Sequence, residues 1–285
     1  MKAAVIIPHH DDALRLGRCL AILTAQDLTD TEVVVVDNAS TQPLTGLIAA
    51  YPAVRFVTEP LKGAANARNR GVAETTAPHL FFLDCDCLPA PDWLAMAHRI
   101  AGDADIIGGA IEVFDETPPP RTGAQAFEAV FAFDYRRYIE QMHFSVTANL
   151  LTSRDVFIAT GPFVAGLSED LDWCHRARAR GYRLIVGEGL RVGHPSRNDW
   201  AALEKKWLRL TREGFGVNGA SPTARLKWAV KALLMPLSIP AHAPRILRSP
   251  KLKGQAERLA AVATLARLRL RRAGWMLRQA AGLDI

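Results

Sequence analysis

The sequence predicts an α/β protein, a mostly parallel sheet with flanking helices followed by a helical C-terminal extension. Three observations predict it. Short apolar, β-branched runs alternate with helix-like stretches through the first third of the chain. These runs are apolar at nearly every position, as strands buried on both faces must be. Beyond about residue 200 the strand-like runs give way to arginine-rich segments with helical spacing.

In chain order, AAVII is the first strand, followed by a helix over 12–26 and the strand EVVVVD. A helix over 44–50, the strand VRFV, a helix over 64–74 and the strand HLFFLD complete a repeated β-α pattern. The middle section is less regular: DIIGGAIEVF, a helix over 124–138, then SVTANLLTS and a helix opening at SEDLDWCHRARARG. Pro118, Pro119 and Pro120 read as a surface loop. The C-terminal helices are WAALEKKWLRLTREGF, LKWAVKALLM and AERLAAVATLARLRLRRAGWMLRQAA. The predicted organisation is a catalytic domain over 1–220 and a basic amphipathic region over 221–285.

With 285 residues, 49% of them hydrophobic, the chain can bury a large core, which excludes disorder. The net charge of +6 is concentrated in the last third. No aromatic and basic residues interleave in the first two thirds, which argues against a nucleic-acid partner. Four cysteines without paired spacing, and a start in a strand rather than a leader, predict an intracellular, cytoplasmic protein. No apolar run reaches the roughly 20 residues that cross a bilayer. The first strand is followed by PHHDD rather than G-x-G-x-x-G, and no G-x-x-x-x-G-K-S/T is present, so the two common nucleotide-loop folds are disfavoured.

Ligands of parallel sheets bind beyond the carboxyl ends of the strands. There the sequence carries Pro8-His9-His10-Asp11, Asp37-Asn38-Ala39-Ser40-Thr41 and Asp84-Cys85-Asp86-Cys87. In an extended backbone Asp84 and Asp86 share one side and Cys85 and Cys87 the other. The remaining cysteines, Cys19 and Cys174, are too isolated for a closed zinc site, whereas paired carboxylates suit Mg²⁺ or Mn²⁺; a solvated acidic turn is the alternative. Glu169-Asp170 follows a serine at a helix start, where acids either stabilise the helix end or serve chemistry. Arg68 and Asn69, in GAANARNRG, lie at a glycine-marked helix start that suits a diphosphate, or else are solvated.

Taken together and in order, VIIP, VVVVDNAST, GAANARNRG, FFLDCDCLPAPDWL, TANLLTSRDVFIATGPF, SEDLDWCHRARARGY and a later His194 resemble the inverting family 2 glycosyltransferases with their Rossmann-like GT-A fold. The resemblance covers residues 3 to 200 or so. It implies that Asp84 and Asp86 form the DxD element, facing the donor's ribose and its diphosphate-bound Mn²⁺ or Mg²⁺. It implies that the general base is the second acid of the ED pair, Asp170, beside Glu169. Asp11 and Asp37 fall where the family contacts the donor nucleoside, with Pro8, Asn38 and Arg68 in the same donor-binding stretches. His194, 24 residues after Asp170, falls where a histidine completes the metal site. HHD in place of V-Y-N and DNAS in place of DDGS leave the base recognised open.

The implied function is metal-dependent transfer of a sugar from a nucleoside diphosphate to a glycan or lipid-linked glycan acceptor, in bacterial surface or exopolysaccharide synthesis. The rival is a noncatalytic sugar-nucleotide or glycan-binding module on the same fold. In the last helix, Leu259, Val262, Ala266, Leu270, Ala273 and Leu277 recur at helical spacing among arginines. That face either packs on the protein or attaches peripherally to the anionic inner leaflet of the cell membrane.

Overall fold

Every residue of strand β1 (Ala3–His9) is buried. It is the centre of an arrangement that the computed structural model describes over residues 1–285. Its neighbours are β2 (Thr31–Asp37) and β4 (His79–Leu83), both parallel to it, and β3 (Val54–Thr58) lies parallel outside β2. Helices α1 (Ala13–Leu23), α2 (Thr45–Ala50) and α3 (Ala64–Ala73) are the crossovers that parallel pairing requires. β5 (Leu88–Pro89), α4 (Trp93–Ile100), β6 (Ile106–Phe114), α5 (Gly123–Phe131), α6 (Tyr135–Glu140), β7 (Asn149–Ser153), α7 (Arg154–Thr160), α8 (Glu169–Ala179) and β8 (Leu184–Pro195) follow. The sheet order is β3-β2-β1-β4-β7-β6-β8-β5. The half built from the first strands is parallel, and β7 pairs antiparallel with both β4 and β6.

The chain divides into two compact units: residues 1–112 with 134–194, and residues 113–133 with 195–285. The second unit joins a segment from mid-chain to the C-terminal helices. The reason is packing. α9 (Trp200–Asn218) contributes Leu203 to the same buried cluster as Phe127 and Val130 of α5 and Leu265 and Leu268 of α12 (Gly254–Ala280). The single helix expected over 124–138 is instead α5 and α6, parted where Phe133 takes φ 52°, a left-handed conformation that no helix continues through. The proline loop is exposed, as expected.

The apolar face of α12 picked out by spacing is only partly the one that packs: Ala273 is buried and Val262 packs against a buried cluster. Ala261, Leu265, Leu268 and Met276 are buried, whereas Leu259, Leu270 and Leu277 are exposed. The helix carries two apolar stripes, and the buried one meets α5 and α9. α10 (Pro222–Leu234) and α11 (Ser238–Leu247) complete the second unit. There Trp228 donates its indole N–H to Gln279 Oε1 (3.0 Å) and packs with Ala232, Met235 and Met276.

In the first unit one buried amide ties four elements. Asn149 Oδ1 accepts from Trp93 Nε1 (3.0 Å), and Asn149 Nδ2 donates to the carbonyls of Ala110 (3.1 Å) and Leu190 (2.8 Å). The side chain is wholly buried, so nothing else can satisfy these groups. Asn149→Ala is expected to destabilise the fold by about 3 kcal/mol or more, since each orphaned buried group costs about 1–3 kcal/mol. Urea unfolding with an unchanged m-value would measure it.

Candidate active site

Parallel register places the ends of β1, β2 and β4 on one edge: His9 pairs with Asp37, Asp37 with Thr58, and Ile6 with Phe82. β4 ends at Leu83. The next four residues are a turn, not an extended strand, closed by the Cys87 N–H donating to the Asp84 carbonyl (3.1 Å). A turn stands where an extended backbone was expected. Asp84 is engaged by Arg68, and Asp86 and Cys87 lie near His194.

Asp84 accepts from Arg68 Nη2 (2.6 Å), and the other arm of the same guanidinium, Nη1, donates to Glu169 Oε1 (2.7 Å). Arg68 is not solvated: it is 4% exposed, two of its nitrogens end on carboxylates, and its Nε has no partner. Close approach of α3 to the sheet puts it there. At Gly71, one turn on, a Cβ would lie 2.4 Å from Ile6 Cγ2. Asn69 fastens the following loop, its side chain exchanging hydrogen bonds with the backbone of Phe163 (2.9 and 3.0 Å).

The ED pair is held from below. Trp173 is fully buried and donates to the Gly161 carbonyl (3.0 Å). Asp172 pairs with Arg176 Nε (2.8 Å), whose other nitrogens cap the carbonyls of Thr160 (2.7 Å) and Pro162 (2.8 Å). Asp172 and Arg176 thus brace the loop that enters α8. Asp170 is raised to about 6, by burial first and by the neighbouring Glu169 second; the Leu171 N–H and the Arg68 charge oppose the rise. An acid at this level is largely ionised at neutral pH yet basic enough to take a proton.

Asp86 Oδ2 lies 3.4 Å from His194 Nε2, and these two with Cys87 bring their ligand atoms within 4.8 Å of one another. Asp84, expected beside them, falls outside this group. Cys87 enters it unforeseen. Burial first, and the adjacent Asp86 second, push its thiol above the usual range. A carboxylate and an imidazole facing each other beside a single thiol fit an oxygen- and nitrogen-binding divalent cation better than a closed zinc site, which takes several thiolates.

The remaining expected residues divide. Asp37 is half-buried at the end of β2, beside His9. His9 Nε2 accepts the Asp12 N–H (3.1 Å), which leaves Nδ1–H to face Asp37 Oδ1 (3.3 Å) and Ser40 Oγ (3.4 Å). Asn38 is committed to the backbone: Nδ2 donates to the Glu59 and Leu61 carbonyls, and Oδ1 accepts from Gly63 N. Asp11 accepts from the Thr41 (2.7 Å) and Gln42 (3.0 Å) amides, which hold its carboxyl below the ordinary range. Both are loop fasteners in this structure. Pro8 is buried within β1.

Known proteins carry the same frame. The family model "Glycosyl transferase family 2" matches residues 4–172. The chain belongs to glycosyl transferase family 2. This family 2 glycosyltransferase is 32% identical over 216 residues to Glycosyltransferase AglE of Haloferax volcanii, covering 72% of this chain and 70% of that protein. Validoxylamine A glucosyltransferase of Streptomyces hygroscopicus is 32% identical over 126 residues, covering 41% of this chain and 30% of that protein. In structure the enzyme resembles the mannosyltransferase PcManGT from Pyrobaculum calidifontis, solved in complex with GDP-Man and Mn²⁺ (TM-score 0.56, 18% identity, covering 100% and 76% of the two chains). It likewise resembles S. aureus TarS 1-349 in complex with UDP-GlcNAc (TM-score 0.55, 16% identity, 99% and 93%). At these identities the likeness speaks for the GT-A fold alone.

Within this glycosyltransferase, Arg68 is the cation shared by Asp84 and Glu169. Arg68→Met leaves Asp84 and Glu169 facing each other without a cation. A loss of about 3 kcal/mol is expected, the lower end for a broken buried pair because both carboxylates keep some solvent. Denaturant titration against wild type would test it, with Arg70→Met, an exposed helix pair on α3, as the control.

Proposed function

We propose that this glycosyltransferase transfers a sugar, with inversion, from a nucleoside diphosphate donor to a glycan or lipid-linked glycan acceptor, with Asp170 as the general base. The observation that carries the reading is the Arg68 fork, which joins the start of α8 to the turn after β4 and so brings Asp170 beside the carboxylates of that turn. Attack by an acceptor hydroxyl on the anomeric carbon forms a C–O bond as the bond to the diphosphate breaks. The hydroxyl proton passes to Asp170. A single displacement on the face opposite the leaving group inverts the centre.

Asp86 and His194 would hold the cation, and a mixed oxygen–nitrogen pair favours Mn²⁺ over Mg²⁺. Bound there, a divalent ion supplies Lewis-acid stabilisation of charge gathering on the diphosphate. Asp37, oriented by the Nδ1–H of buried His9, is the donor-nucleoside contact, with the backbone at Pro8 and Asp11 forming the neighbouring wall. Asp84, restrained by Arg68, faces the donor ribose. Assembly of a cell-surface or exopolysaccharide glycan is the process that such a reaction serves. An intact base and ion-holding pair favour catalysis over a binding module, which would need neither.

Asp170→Asn is expected to lower the transfer rate by about 10²- to 10⁴-fold with little change in donor affinity. In wild type the rate should fall with acid below about pH 6, where Asp170 takes up its proton. The stability sign is opposite. Because folding raises this pKa from 3.8 to about 6, the favourable contribution is complete below 3.8 and is lost as pH rises through 6. Asp170→Asn should therefore be more stable than wild type at pH 8, by on the order of 1–2 kcal/mol. A variant that is slow and more stable fits the assignment; one that transfers at the wild-type rate sinks it.

For the ion, Mn²⁺ titration followed by calorimetry or electron paramagnetic resonance, in the presence of nucleoside diphosphate, should show one site in wild type. Asp86→Ala and His194→Ala should each weaken it by about 10- to 100-fold. Equal Mn²⁺ affinity in all three proteins would remove the assignment.

A further inference from the structure

The second unit bears an uncovered apolar face on α10. Leu226, Val230 and Leu233 follow at i, i+4 and i+7, with Leu234 beside them and Leu237 in the turn beyond. All are large aliphatic side chains, and they are 48–67% exposed. The opposite side of the same helix is the packed one, where Trp228, Ala232 and Met235 meet Met276 and Ala273. The helix is therefore fully anchored through one face and presents leucines on the other, a contiguous apolar stripe that a helix surrounded by water has no reason to carry.

Charge says what covers it. From residue 214 to residue 256 the chain has no aspartate or glutamate. The same stretch carries Lys227, Lys231, Arg245, Arg248, Lys251 and Lys253. Lys227 and Lys231 lie along the flank of the leucine stripe, and Arg245, Arg248 and Lys251 line a cleft of about 390 Å³. A second copy of this chain would oppose cations to cations, an arrangement that costs association. A leucine stripe flanked within its own segment by cations and no acids matches a surface that is apolar below and anionic above.

We infer that α10 lies in the plane of an anionic bilayer, with Leu226, Val230, Leu233 and Leu237 at the acyl boundary and the cations of residues 225–253 among the headgroup phosphates. No helix of the protein is long and apolar enough to cross a membrane, so the attachment is in-plane. α12, the helix whose sequence most suggests such a role, is less suited. Its exposed leucines are sparse, and three of its arginines are committed to α9: Arg267 over the Trp200 ring (3.9 Å), Arg271 on Glu204 (2.7 Å) and Arg272 over Trp207 (4.4 Å). The inference rests on the second unit alone and stands whether or not the donor and acceptor assignments above are correct.

The test is sedimentation of the full chain with vesicles. Wild type should sediment with phosphatidylcholine vesicles containing phosphatidylglycerol and much less with phosphatidylcholine alone, and added salt should weaken the binding. Leu226→Gln with Leu233→Gln alters exposed positions only, so the far-ultraviolet spectrum and melting temperature should be retained while the partition coefficient falls about tenfold or more. Leu270→Gln with Leu277→Gln, on α12, should leave it unchanged. Quenching of a tryptophan placed at Val230 by brominated acyl chains would fix the depth. Failure of wild type to bind anionic vesicles, equal binding by the α10 variant, or a wild-type dimer in solution that the α10 variant turns monomeric would each overturn the inference.

Discussion

A single guanidinium joins two acidic segments of the candidate site. Arg68 is buried, and its two arms end on Asp84, from the turn after β4, and on Glu169, from the first turn of α8. These carboxylates come from segments about eighty-five residues apart in the chain, and with Asp170 they place three negative groups in one region of low exposure. Without a cation among them, mutual repulsion and desolvation would drive the segments apart or neutralise them. A planar fork with fixed donor directions also sets orientation, which a lysine would not.

The same arrangement divides the acids by role through their surroundings. Glu169 and Asp84 each receive an arm of Arg68; Asp170 receives only the amide next to it and a more distant share of the charge. The group with the least compensation is the one whose pKa rises toward neutrality. A carboxylate held near neutrality is thus obtained by withholding a partner from it, as happens wherever neighbouring carboxyl groups have different surroundings. Asp172, two residues on, is paired with Arg176 and serves the loop instead.

Much of this was legible in the sequence, for identifiable reasons. Uniformly apolar runs left no choice but buried parallel strands, and strand ends in such a sheet converge. Asp86 and His194, expected together from residue type and order, do lie side by side, and Asp170 stands at the start of α8 as the helix-start signal predicts. What escaped was conformation at single residues. Asp84-Cys85-Asp86-Cys87 reads as a strand by alternation but closes as a turn, which exchanges Asp84 for Cys87 beside His194. Asn38 and Asp11 look like ligand contacts, yet their hydrogen bonds are taken by nearby backbone, a competition that sequence spacing does not reveal. α12 has apolar residues on two faces, and only the three-dimensional position of α5 and α9 decides which is buried. The bulk pattern fixes layers; local hydrogen bonding decides roles.

The second unit is discontinuous in the chain, and this has a consequence for how the protein is made. α5 leaves the ribosome long before α12, yet the cluster that covers Phe127 and Val130 is completed only by Leu265, Leu268 and their neighbours. At roughly 5–20 residues per second, several seconds separate the two events. Through that interval the N-terminal sheet can fold around a tethered, greasy helix with nothing to bury it. Nascent chains in this state are substrates for holdase chaperones, and a stalled or truncated polypeptide would carry an exposed α5 as a degradation signal.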